Sequence, residues 1–147
     1  MMRGDLPLSV THEVRDRCLC LHLQRAARAI ARRFDEALRP HGLTNGQFSL
    51  LMALNRPHPP RIGEIASFLA MDRTTLTANL KPLERRGLVE VVADPADRRG
   101  RRVQLNENGR DVLVSALPVW RETHDEIDRL LGEAKVDQIR AILLALS

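Results

Sequence analysis

Four arginines, Arg98, Arg99, Arg101 and Arg102, fall in one short charged segment that opens with Asp94 and Asp97. Guanidinium groups at this density suit a polyanion, because each presents a rigid fork of N–H donors that matches phosphate oxygens or a guanine edge. Other residues able to do chemistry are sparse. Cys18, Cys20 and His22 lie close together. On a helix, positions 18 and 22 share a face, but Cys20 points about 200° from Cys18. No second ligand cluster completes a metal site, so neither a metal nor any other cofactor is expected. Arg15, Arg17 and Arg25 are near enough to favour a thiolate. Cys18 and Cys20 are therefore either redox-active thiols, able to link two subunits, or small core residues. His12, His58 and His124 have no carboxylate at catalytic spacing, and the chain lacks a phosphate-cradling glycine loop, a G-x-S-x-G elbow and an H-E-x-x-H pair. An enzyme is not expected.

The elements that position these residues read as mainly helical. The 147 residues fit one domain, or a core with an appendage. The only aromatics are Trp120, Phe34, Phe48 and Phe68, so Leu, Ile, Val and Ala must build the core. Residues 1–10 read as a loose arm. One long helix is predicted from about Thr11 to Arg39, because Leu19, Leu23, Ala26, Ile30, Phe34 and Ala37 step by three or four. Pro40 stops it. Thr44 and Gln47 have capping-box spacing ahead of a short helix containing Phe48, Leu51 and Leu54. The cluster Pro57-His58-Pro59-Pro60 is a connector, and a third short helix carries Ile62, Ile65, Ala66 and Leu69. Asp72 caps a fourth helix running to about Arg86, kinked at Pro82, with Gly87 closing it. The run Leu88–Val92 and the alternation Arg101–Leu105 predict a hairpin around a turn-rich loop, 94–100. Asn106 caps a long helix through Trp120 to about Leu131, kinked at Pro118; Gly132 breaks it, and a last helix follows.

Charge is distributed unevenly along this order. Residues 1–60 hold nine basic against five acidic residues (net +4) and 61–102 nine against six (net +3), whereas 103–147 hold five against eight (net −3). The basic first two thirds are the part expected to approach a polyanion. No stretch reaches the roughly 18 uncharged apolar residues of a membrane span, and no apolar signal region follows the N-terminus. No membrane partner and a cytoplasmic location are expected.

Four segments resemble one family in order and spacing. Leu43-Thr44-Asn45-Gly46-Gln47-Phe48-Ser49-Leu50-Leu51 is similar to the L-T-x-x-Q-F-x-L-L helix start of MarR-family transcriptional regulators, and Ile65–Thr77 resembles their helix-turn-helix. Leu83-Glu84-Arg85-Arg86-Gly87-Leu88-Val89 matches their exit into the wing. Asp94, Asp97, Arg98 and Arg99, followed by Val103 and Leu105, match the wing loop and return strand.

The resemblance implies a mainly α fold with a small β-hairpin wing: a winged helix-turn-helix core (41–105, recognition helix 72–86, wing 88–105) flanked by dimerisation helices at 11–40 and 106–147. It implies a sequence-specific double-stranded DNA-binding regulator, more often a repressor than an activator. Arg73, Thr74, Thr75, Thr77 and Lys81 would face the major groove, with Arg73 fitted to guanine; an ordinary solvated face is the alternative. In the wing, Asp97 would orient Arg99 through an ion pair while Arg98 or Arg99, with Arg101 beside them, reaches the minor groove. A hairpin charged only against edge pairing is the alternative. Apolar stripes too long for one small domain imply a homodimer on a pseudo-palindromic operator. An effector, an aromatic or phenolic small molecule, is expected by resemblance near Cys18, His22, Phe34, His41 and Phe48, each of which could equally be plain core. Two further readings remain: a cysteine-based redox sensor of the same fold, and a winged-helix module that binds protein or RNA.

Overall fold

The computed structural model describes residues 3–147. Residues up to Arg33 form one compact unit and residues from Phe34 onward a second. The first unit holds α1 (Leu8–Arg17) and most of α2 (Leu19–Leu38). The single helix expected from Thr11 is thus two, and helical structure begins at Leu8, inside the expected loose arm. The break falls at Cys18, whose ψ is 102°. Cys18 closes α1 by donating its N–H to the Val14 carbonyl and opens α2 by accepting the His22 N–H, at 3.1 Å, on its own carbonyl. Its Sγ accepts the Leu21 N–H at 3.4 Å, so a cysteine occupies the capping position usually held by Ser or Asp. No proline or glycine marks this break, so apolar periodicity alone runs through it. In α1 no side chain is buried, and Leu8, Val14, Leu19 and Ile30 are exposed.

In the second unit, α2 ends with Phe34 and Leu38 buried, and a 3-10 turn at Arg39–His41 leads to Gly42, whose φ is 71°. The predicted capping box opens α3 (Asn45–Ala53): Thr44 Oγ1 accepts the Gln47 N–H at 3.2 Å and Gln47 Oε1 accepts the Thr44 N–H at 3.1 Å. Then follow α4 (Ile62–Phe68) and α5 (Arg73–Arg85), joined by a turn in which Ala70 has φ 51°. Asp72 caps α5 by accepting the Thr75 N–H at 2.8 Å. The helix passes through Pro82 to Arg85, and Gly87 at φ 69° reverses the chain. β1 (Val89–Asp94) and β2 (Asp97–Leu105) form the antiparallel hairpin. Asn106 then serves two elements, its Oδ1 accepting the Gly109 N–H to cap α6 (Glu107–Leu131) and its Nδ2 donating to the Gly87 carbonyl. α6 is continuous through Pro118, and α7 (Glu133–Ala145) follows Gly132.

The fully buried side chains Leu38, Leu51, Ile65, Leu76, Leu83 and Val103 come from α2, α3, α4, α5 and β2. At about 1.5–3 kcal/mol for each large side chain removed from water, they fix α5 and the hairpin on one core. This is the expected winged helix-turn-helix.

Two glycines distinguish packing from helix propensity. Replacing a helical Gly by Ala gains about 0.8–1 kcal/mol from propensity alone. At Gly46 a Cβ would meet nothing, so Gly46→Ala is expected to stabilise the protein by up to that amount. At Gly109 a Cβ would run into the Leu88 carbonyl oxygen and the Leu105 side chain, and overpacking costs about 1–3 kcal/mol. Urea unfolding should therefore show Gly109→Ala destabilised; a stabilised variant would contradict the packing of α6 on the strand ends.

Candidate nucleic-acid interface

On α5 the buried residues Leu76, Leu80 and Leu83 set the opposite face to solvent, and Arg73, Thr74, Thr75, Thr77 and Lys81 are all exposed on it. Thr75 is partly committed: its hydroxyl donates to Asp72 Oδ2 at 2.7 Å. The Thr75 amide, then its hydroxyl, hold the Asp72 carboxyl below its ordinary value, keeping the cap ionised. Arg73 takes part in no ion pair among the described residues.

The hairpin differs from the expected loop. Its strands run to Asp94 and resume at Asp97, leaving only Pro95 and Ala96 as the turn, with Val92 opposite Arg102, Ala93 opposite Arg101 and Asp94 opposite Asp97. Arg98, Arg99 and Gly100 are extra on β2, a bulge at the wing tip. Asp94 Oδ1 accepts the Ala96 N–H at 3.0 Å and so closes the Pro95-Ala96 turn. The expected ion pair between Asp97 and the Arg99 guanidinium is not formed. Asp97 Oδ1 instead accepts the Arg99 backbone N–H at 3.0 Å, shaping the bulge, and the Arg99 guanidinium has no ion pair among the described residues. Arg98, Arg99 and Arg101 are exposed.

Arg102 has a different task from its neighbours. Its Nε lies 3.2 Å from Asp94 Oδ1, and its Nη1 donates to the Pro59 carbonyl at 2.8 Å. Asp94 Oδ2 is 2.8 Å from Arg61 Nε, and the Asp94 side chain is 1% exposed. The adjacent Val103 N–H donates to the Pro60 carbonyl at 3.0 Å, and Arg61 bridges to Arg102. The end of the proline connector thus lies against β2 through an isolated antiparallel bridge, and a buried carboxylate between two guanidiniums holds it there. A Cβ on Gly100 would come within 3.2 Å of Asp94 Cβ, so this glycine makes room for the carboxylate. The Ala96 amide is the largest influence lowering the Asp94 pKa; Arg102 and Arg61 add to it and burial opposes it. In the sequence Asp94 belongs to the turn motif and Arg61 does not stand out, because nothing local connects residues so far apart in the chain.

Between α4, the start of α5 and the wing lies an open cleft of about 1030 Å³ whose lining includes Arg61, Gly63, Arg73, Thr77, Arg99 and Arg101. Phe68, 67% exposed, also lines it, with the Arg56 guanidinium 5.5 Å from its ring centre. Neither Arg56 nor Phe68 stands out as a site residue in the sequence.

The other sequence candidates separate. Phe34 and Phe48 are buried and meet around Trp120, with Phe48 stacked on the indole at 5.7 Å and Phe34 at 6.4 Å. His124 closes the cluster, 4.9 Å from Phe34 and 4.5 Å from Trp120. Burial pushes its imidazole below the ordinary 6.5, Asp128 opposing, and its buried Nδ1 has no hydrogen-bond partner among the described residues. Trp120 and His124, four residues apart on α6, are not among the residues expected to form a site. His41 lies instead on Ser115, its Nδ1 2.8 Å from the hydroxyl oxygen. Cys18 and His22 belong to the first unit, where His22 Nδ1 is 2.7 Å from the Cys18 carbonyl oxygen. Cys20 Sγ accepts a hydrogen bond from Gln24 Nε2 at 3.4 Å.

A helix-turn-helix whose second helix turns an apolar face inward and a polar face outward, beside an arginine-tipped hairpin, defines a winged-helix DNA-binding module. Residues 41–100 match the model described as the MarR family. The transcriptional activatory protein BadR of Rhodopseudomonas palustris is 33% identical, the alignment covering 82% of this chain and 70% of BadR. The transcriptional regulator MosR of M. tuberculosis, solved in complex with DNA, has 38% identity and a TM-score of 0.81, over 88% of this chain and 92% of MosR. The transcriptional repressor CouR, bound to a 23-mer DNA duplex, has 30% identity and a TM-score of 0.80, over 96% and 97% of the two chains. The chain belongs to the MarR family. It is a DNA-binding transcriptional regulator and not an enzyme. Among the described residues no helix is long and apolar enough to cross a membrane.

A carboxyl whose folded pKa lies below the ordinary 3.8 stabilises the native state fully above that value and progressively loses this effect as pH falls through the folded pKa. At neutral pH, Asp94→Asn should therefore speed amide exchange across 89–105 while α6 keeps its protection; the parent should show the same loosening only below pH 3.8. Equal wing protection in both proteins at neutral pH would remove Asp94 as the anchor.

Proposed function

We propose that the chain acts in the cytoplasm as a homodimer that holds a pseudo-palindromic operator in duplex DNA and represses transcription until a small aromatic or phenolic effector changes the spacing of its recognition helices. The observation that carries this reading is the division among the cleft arginines. Arg61 is tied to Asp94, while Arg73, Arg99 and Arg101 line the same cleft without an ion pair among the described residues. An α-helix with side chains is about 10–12 Å across and the major groove about 12 Å wide, so α5 fits with Arg73 towards a guanine and Thr74, Thr77 and Lys81 beside it. Thr75 contributes an acceptor oxygen, its proton being held by Asp72. The bulge then carries Arg98 and Arg99, with Arg101 beside them on β2, to the neighbouring minor groove.

The dimer is supported by apolar side chains left uncovered near the ends of the chain. Leu8 and Leu19 of the first unit and Ile142, Leu144 and Leu146 of the second are each more than half exposed, on the helices that the family resemblance assigns to dimerisation. A second copy would cover them and set two recognition helices about one DNA turn apart. Support for an aromatic effector comes from the cluster of Phe34, Phe48 and Trp120 around His124, whose Nδ1, without a hydrogen-bond partner among the described residues, suits a polar group on an apolar ring. Repression follows the likeness to CouR, which spans nearly all of both chains.

In anisotropy titrations at physiological salt, Arg99→Ala is expected to cost more than about 1 kcal/mol of DNA affinity, the worth of a charge-assisted contact; unchanged affinity would remove the wing from the interface. Sedimentation should give twice the 16.6 kDa chain mass, and a monomer at micromolar concentration would rule out the dimer.

A further inference from the structure

Arg73 is the first residue of α5 and carries a long side chain with no acidic partner among the described residues. Its guanidinium nevertheless has a defined seat. A Cβ placed on Gly63 would stand 2.7 Å from Arg73 Nη2, 3.2 Å from Cζ and 3.5 Å from Nε. Three atoms of the planar group therefore cover the bare backbone of the first turn of α4. Gly63 is helical and does not belong to the glycines with positive φ, which are Gly42, Gly87 and Gly132. The backbone conformation thus does not call for glycine there, and glycine is a poorer helix former than alanine. What the missing side chain provides is space, and Arg73 occupies it. Gly63, Arg73 and Thr77 line the same cleft.

We propose that Gly63 is a specificity-determining positioning residue: by leaving the α4 backbone bare, it seats the Arg73 guanidinium so that its donor edge is fixed for a guanine. This rests on the reading that α5 enters the major groove. A guanidinium held in place before binding loses less rotamer freedom on contact, and its fork meets base acceptors in one orientation. The atoms that a methyl at 63 would displace belong to the tip of a flexible side chain. The displacement should therefore change how DNA is read while leaving the fold intact.

The test compares the full-length parent, Gly63→Ala, Arg73→Ala and the double variant, with thermal melting as a check on folding. In the free protein, ¹⁵N relaxation at Arg73 Nε should show an ordered group in the parent and a mobile one in Gly63→Ala. On an operator selected with the parent, Gly63→Ala and Arg73→Ala should each weaken the preference for guanine at one and the same base pair by about tenfold, the worth of a bidentate contact, with no further loss in the double variant. Equal mobility of Arg73 Nε in parent and Gly63→Ala overturns the proposal. So does an unchanged base preference in Gly63→Ala, or a loss that adds to that of Arg73→Ala. Failure of the parent to select any operator contradicts the DNA reading instead, and the relaxation measurement still decides the seat.

Discussion

Asp94 brings together three segments that the chain delivers separately: the proline connector through Arg61, the end of β1, and the return strand through Arg102. A carboxylate this deeply covered is unfavourable unless neutralised and hydrogen-bonded. Here two guanidiniums neutralise it and the Ala96 amide donates to Oδ1, while Oδ2 faces Arg61 as an ion pair and has no hydrogen-bond partner among the described residues. The demand is stringent, and it ties the wing root to the connector. Were the carboxylate absent, Arg61 and Arg102 would face each other without a counter-charge, and the connector would keep its backbone contacts to β2 and the Arg102 bond to the Pro59 carbonyl. The same arrangement divides the labour among the arginines. Those at the root are consumed by structure, and those on the bulge remain open to solvent.

The recognition helix is held by other means. Its apolar face joins the core through Leu76, Leu80 and Leu83, its N-terminus is closed by Asp72, and its C-terminal exit is tied to α6 through Asn106 and the Gly87 carbonyl. Helix and wing are therefore mounted on one core through separate links. An exposed aromatic, Phe68, lies in the cleft beside Arg56. This pairing puts an apolar ring and a cation where sugar and phosphate would both be near, if the cleft takes DNA as proposed.

Features that depend on residues three or four apart are legible in the order of amino acids alone. The caps at Thr44, Asp72 and Asn106 and the reversal at Gly87 follow from side chains bonding to backbone within one turn, and these mark most of the helix starts in the second unit. The hairpin follows from its β-branched run. Contacts across the fold are not legible in this way. Asp97 is the expected partner of Arg99 because it stands beside it, yet its carboxylate holds only the Arg99 amide, while Asp94 takes the ion pairs. Arg102, indistinguishable from Arg101 by type, turns into the root because Asp94 and the Pro59 carbonyl await it. The break at Cys18 is hidden for a different reason: a thiol is an unusual helix cap, and the apolar stripe continues through it. Trp120 and His124 need the packing of α6 to bring them to Phe34 and Phe48.

The most direct measurement is selection of genomic DNA fragments by the purified full-length protein at physiological salt, followed by sequencing. A dimer reading bases through α5 predicts enrichment of a short inverted repeat whose half-site centres lie about one helical turn, 10–10.5 base pairs, apart. Binding without enrichment, fading uniformly as salt rises, would show attraction to the phosphate backbone alone and contradict sequence-specific reading by the recognition helix.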